Sequence, residues 1–156
     1  MKHYPDTDTF HFVNVNSHNR KTCDCVYRAI ADAFGITWEE ALRACVAFGL
    51  KRGIAPNDPA CYGGIFKSLR IAKEAQPRKP DATKFTGSEF CREYATEGRV
   101  FIAHLGGNHV VAIKHGKVND IWNSTDSCIG NYWEIPTGER LCNAISRLHG
   151  LAESLR

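Results

Sequence analysis

The sequence predicts an α+β fold, with helices from the first half packed on an antiparallel sheet built by the second half. Three observations carry this. Val26, Ala29, Ile30, Ala33 and Phe34 recur at i, i+3, i+4, i+7 and i+8, the stripe of a helix with one buried face. Two capping boxes, Thr37-x-x-Glu40 and Thr86-x-x-Glu89, open further helices. From Arg99 onward the period changes to short apolar runs separated by Gly-containing turns, the pattern of antiparallel strands.

Taken in order, residues 1–20 form a polar lead in which Phe10–Val15 alternates loosely, as a short strand or an extended arm. The striped helix spans about 25–34, with Gly35 where a left-handed cap would lie. The helix capped by Thr37 runs to about Leu50, and Gly49 and Gly53 bracket its end. Ile54–Gly64, with Pro56, Asn57, Asp58, Pro59 and a Gly pair, reads as a loop at the rim of a cleft. Ile65–Ala75 reads as a third helix, and Gln76–Asp81 breaks it. The helix capped by Thr86 continues through Tyr94 and ends by Gly98. Strands follow at Arg99–His104, His109–Lys114 and Lys117–Trp122, the last two joined by a two-residue His115-Gly116 turn. Tyr132–Ile135 is a fourth strand, stopped by Pro136. Leu141, Ile145, Leu148, Leu151 and Leu155 mark a terminal helix over about 138–155. The whole of 1–156 is expected to form one domain, with its core over about 20–135.

Composition excludes several classes. Apolar residues make up 43% and charged residues 24%, the balance of a soluble globular domain. No apolar run is long enough to cross a membrane, and Met1–Asp6 has no apolar signal core. A net charge of +3, with basic residues scattered, gives no reason to expect nucleic acid. Seven cysteines, an odd number without a leader, argue against a disulfide framework. They also lack metal-site spacing: Cys23-x-Cys25 is shorter than the usual arm, and no second close pair follows. His104 and His109 would meet only across an irregular turn. No metal and no cofactor are expected.

The chemistry centres on Cys25. Its helix starts at or just after it, so the thiol sits among unpaired backbone N–H groups at the positive end of the macrodipole. Both favour thiolate, the nucleophilic form. A base and an orienting group are expected from the hairpin. His109 opens an apolar strand after a Gly-Gly-Asn turn, so its ring emerges at a sheet edge. If His115-Gly116 is the turn, Lys114 pairs with Lys117 and His109 falls opposite Trp122. Asn123, one step beyond, would then orient the ring if a bulge or strand end turns it to the right face. Asp120, diagonal to His109 on the same face, is the alternative acid, and Asp126 a weaker one. Trp122 would shield the His109–Asn123 bond. Asp24 reads as an N-cap and Arg28 as the partner of some carboxylate. His104 and His115 read as a strand end and an exposed turn, and Cys23 as structural or merely nearby.

The order of a cysteine on the first helix, a histidine starting a strand and Asn123-Ser124 after the next strand resembles the papain-like cysteine peptidase superfamily. The span His109 to Asn123 is similar in length to the hairpin of Josephin deubiquitinases. Asp24-Cys25-Val26-Tyr27-Arg28-Ala29, His109-Val110-Val111-Ala112-Ile113 and Asp120-Ile121-Trp122-Asn123 with Tyr132-Trp133 also look like a group of small phage and bacterial proteins. The resemblance covers about 20–135 and implies a papain-like fold. It implies a Cys25-His109-Asn123 triad with Asn19, six residues before the nucleophile, as oxyanion donor with the Cys25 backbone N–H. The implied activity is hydrolysis of an amide, peptide or isopeptide bond in a protein or peptide substrate. A catalytically silent binding or inhibitory module, or acyl transfer or deamidation by the same triad, would use the same residues. A cytoplasmic location follows as an expectation, in a bacterial host if the chain is phage-encoded.

Overall fold

The computed structural model describes residues 2–155. They form five helices and one five-stranded sheet, an α+β architecture. In chain order these are β1 (Phe10–Phe12), α1 (Cys25–Phe34), α2 (Trp38–Arg52), α3 (Pro59–Ser68) and α4 (Gly87–Glu93). β2 (Val100–Leu105), β3 (His109–Lys114), β4 (Lys117–Asp120), β5 (Ile129–Ile135) and α5 (Gly138–Glu153) follow. Among the described residues no helix is long and apolar enough to cross a membrane.

The helix starts follow the local chemistry. Thr37 and Thr86 each accept from the backbone N–H three residues on, and Glu40 and Glu89 return the bond, so both capping boxes are complete. Gly35 and Gly53 close α1 and α2 in the left-handed conformation at φ 66° and 69°. α5 takes the tail, burying Ala144, Leu148 and Ala152 and packing along α2.

The third helix begins earlier than its apolar stripe suggests. Asp58 caps it by accepting from the Ala60 N–H at 2.7 Å, and Pro59 sits in the first turn, where its missing N–H costs nothing. So Pro59–Gly64 is helix rather than loop, and the helix ends at Ser68 rather than Ala75. Gly64 is needed there: a Cβ at that position would lie 2.8 Å from the Phe48 ring of α2. Residues 69–86 carry no helix and touch the sheet through isolated bridges, Glu74 to Tyr132 and Thr86 to Cys128.

The sheet order is β1-β4-β3-β2-β5. It is mixed rather than wholly antiparallel, because β1 adds to β4 in parallel, Phe10 beside Val118 and Phe12 beside Asp120. The other pairings are antiparallel. Lys114 pairs with Lys117 across a two-residue turn, and His115 and Gly116 both have positive φ, 52° and 71°, as a type I′ hairpin requires. Both faces of the sheet are covered. Ile102, Val110, Ala112, Trp133 and Ile135 meet Ile30, Phe34, Ile65, Phe66 and Leu148 from the helices. Phe101, Ala103, Leu105, Val111, Ile113 and Val118 form the other layer with Phe90 and Cys91 of α4. Alternate residues of β2 and β3 thus enter different cores, which explains why these two strands read as continuous apolar runs.

Candidate active site

α1 packs against β3, so the first residue of the helix meets the first residues of the strand. Cys25 is half-buried at the helix start, and its sulfur interacts with the His109 ring and with the Val110 backbone N–H. Burial pushes the Cys25 thiol up. The His109 hydrogen bond, the Val110 N–H and the charges of His109 and Arg28 outweigh it and hold the thiol below its ordinary value. Burial likewise pushes His109 down, but bonds to Asp120 and Cys25 overcome it and raise the ring to about 9. Both shifts favour a thiolate–imidazolium pair at neutral pH.

The acid that orients the ring is Asp120. Its Oδ2 lies 2.5 Å from His109 Nε2, which leaves Nδ1 as the ring nitrogen for the sulfur. Asp120 is buried, and each of its oxygens has two partners. Oδ1 accepts from the Ile121 N–H at 2.7 Å and from Arg28 at 3.3 Å; Oδ2 also accepts from Ser124 Oγ at 3.2 Å. The hairpin register explains the choice. Asp120 is the last residue of β4 and lies diagonal to His109 on the same pleat face. Asn123 lies past the strand end and is exposed; its Oδ1 accepts from the Thr125 N–H at 3.1 Å and Thr125 Oγ1 at 2.7 Å. It is a turn-forming Asx residue and does not orient His109. Trp122 covers the ring, the two centroids 5.1 Å apart.

Asn19, expected as the oxyanion donor, is not among the residues that line the cavity at Cys25. It is exposed in a tight turn at φ 49°, and its side-chain oxygen accepts from Asn14 at 3.4 Å. Cys25 is the first residue of α1, and a helix start leaves the backbone N–H groups of its first turn without intrahelical acceptors.

Sequence reasoning assigned no catalytic part to the support behind the triad. Arg28 joins two buried carboxylates, Asp24 one helical turn before it and Asp120 on the sheet. Asp24 makes no side-chain cap; it accepts from Asn16 Nδ2 at 2.9 Å and Trp38 Nε1 at 3.0 Å as well as from Arg28. A continuous chain of polar contacts, buried from Asn16 to Asp120 and half-buried at its end, therefore runs Asn16, Asp24, Arg28, Asp120, His109, Cys25. Turned to Arg28, the Asp24 charge is matched rather than left to oppose the thiolate. The i, i+4 spacing of Asp24 and Arg28 was the available signal.

The sulfur opens into a cavity of about 590 Å³. Its lining includes Lys21, Thr22, Cys23, Asn57, Pro59, Tyr62, His104, Gly107, Asn108, His109, Ile121 and Trp122. Cys23 is an exposed thiol on this wall, and His104 is part of it rather than a plain strand end. Compared with protein-family models, with curated proteins and with solved structures, the chain matches none.

Proposed function

We propose that the chain is a papain-like cysteine hydrolase that cleaves an amide, peptide or isopeptide bond of a protein or peptide. The observation that supports this most is the Cys25–His109–Asp120 alignment at the wall of one cavity. The order of these residues, helix start, strand start and end of the next strand, agrees with that superfamily, with an aspartate in the orienting place. The Cys25 thiolate attacks the carbonyl carbon, and the charge that develops on oxygen meets the N–H groups at the start of α1. The His109 imidazolium gives its proton to the departing amine nitrogen, and the acyl group remains as a thioester on Cys25. His109, now neutral, takes a proton from water, which attacks the thioester and frees the acid. Asp120 keeps Nε2 protonated throughout, so Nδ1 is the nitrogen that exchanges the proton.

A library of fluorogenic peptide amides tests the reading. Cleavage by the wild type, with a thioester mass adduct on Cys25 at early times, is the expected result; Cys25→Ala should give neither. Cleavage that survives in Cys25→Ala, or a library left intact with no adduct, would contradict it.

A further inference from the structure

A second polar pair, with no part in the proton transfers above, lines the same cavity. Tyr62 Oη lies 2.7 Å from His104 Nε2, and both residues face the space beside Cys25. They come from different elements, α3 and β2, and several features hold them together. The β2–β5 register shifts between Ala103 and Leu105, so β5 carries one extra residue, a bulge at Gly130–Asn131 directly opposite His104. On β5, Gly130 leaves room: a Cβ there would stand 3.0 Å from the His104 Cβ. Trp133 packs edge-on against both rings, at 5.9 Å from Tyr62 and 5.5 Å from His104. Phe66 closes on Tyr62 at 6.2 Å.

The pair is uncharged at neutral pH. Burial, with smaller contributions from the Cys25 and Asp58 charges, pushes the Tyr62 hydroxyl up to about 12. Burial, helped by Lys73, pushes His104 down. A neutral tyrosine and a neutral imidazole carry one donor each. Their mutual bond uses one of the two, so either arrangement of protons leaves one O–H or N–H to give. The residues lining the cavity include Lys21, Arg28, His104 and His109 but no carboxylate. With Lys21, Arg28 and His109 on it, such a wall disfavours a cationic group and offers a donor to a carbonyl.

We propose that Tyr62 and His104 form the substrate-positioning element of this cleft, donating a hydrogen bond to the carbonyl of an uncharged amide group and so setting the scissile bond against Cys25. This rests on the hydrolase reading of the same cleft and names its substrate class, a neutral peptide or carboxamide. A preorganised donor held by packed aromatic rings loses little freedom on binding, which is what a positioning contact requires.

Two thiol reagents test it, iodoacetamide, which carries an amide, and methyl methanethiosulfonate, which does not. In Tyr62→Phe and in His104→Leu, the rate of Cys25 alkylation by iodoacetamide, taken relative to the thiosulfonate rate, should fall about tenfold. The pH dependence of Cys25 reactivity should stay where it is, because neither residue touches the proton path. An unchanged ratio in a folded variant overturns the proposal. Should the variants fail to fold, excess N-methylacetamide must slow the thiosulfonate reaction of wild-type Cys25; no protection overturns it equally. Failure of the hydrolase reading looks different, namely a wild-type Cys25 that reacts with both reagents as an ordinary thiol.

Discussion

Asp120→Asn should lower turnover about 10³-fold or more, although the side chain barely changes shape. The reason is a count of donors. Asp120 now accepts four bonds, two on each oxygen: Ile121 N–H and Arg28 on Oδ1, His109 and Ser124 on Oδ2. An amide has only one oxygen. Turned toward Arg28 and the Ile121 N–H, both unable to accept, it presents its NH₂ to His109 Nε2. Nε2 must then be unprotonated, the proton sits on Nδ1, and the ring cannot take a proton from Cys25 or hold the cationic form. Loss of the carboxylate also leaves burial, the largest influence on His109, without its main opponent, so the ring should titrate well below its present value of about 9. The sign follows directly: the imidazolium form, stable up to about pH 9 in the wild type, should disappear at lower pH in the variant. Steady-state kinetics against pH, with an NMR titration of the His109 ring, checks both effects. A variant with near-wild-type turnover and an unmoved ring titration would show that the negative charge at Asp120 is not what sustains the site.

Arg28→Met carries the largest expected cost in stability. The guanidinium lies between Asp24 and Asp120, and all three are buried. Methionine fills much of the volume but leaves the buried Asp24 without a cation and Asp120 with the His109 imidazolium alone. Breaking a buried pair from one side typically costs about 3–5 kcal/mol, because the remaining charge has lost water and partner alike. For a domain of this size that corresponds to a fall in melting temperature of roughly 10 °C or more. Asp24 and Asp120 keep neutral donors, Asn16 and Trp38 on one side and Ser124 and the Ile121 N–H on the other, so folding at low temperature should survive. Thermal melts followed by circular dichroism check it, and a melting temperature within 2–3 °C of wild type, ~1 kcal/mol or less, would contradict the account of the network. Arg28→Lys should recover only part of the loss, since an ammonium cannot present the flat fork that spans two carboxylates.

Much of this was legible in local sequence signals because local physics decides it. The capping boxes at Thr37 and Thr86, the left-handed glycines after α1 and α2, and the His115-Gly116 turn all act within a few residues. The turn in turn fixed the pairing of Lys114 with Lys117, and that pairing put Asp120 on the face of His109. Asn123 remained attractive in the sequence because turn residues and orienting residues share a composition; only the end of β4 at Asp120 and the Asx turn beyond it separate the two roles. Asn19 depended on a spacing carried over from a resemblance, and it lies in an exposed turn outside the cavity lining. The start of α3 was readable from Asp58-Pro59, but the Gly63-Gly64 pair masked it, since a glycine that serves to pass Phe48 looks like a glycine that breaks a helix. Nothing local announced the β5 bulge opposite His104, the parallel pairing of β1 or the meeting of Arg28 with Asp120, which are contacts between residues far apart in the chain.

The most direct measurement is the rate of Cys25 alkylation by iodoacetamide as a function of pH, in the wild type and in His109→Ala, with the modified residue identified by mass. The wild type should react readily at neutral pH, on a plateau that begins below the range where a free thiol ionises and changes again near pH 9 as His109 loses its proton. In His109→Ala the plateau should vanish, leaving one rise at or above the ordinary thiol range. A single rise in that ordinary range in both proteins would mean that no thiolate–imidazolium pair exists, and the active-site assignment would fall with it.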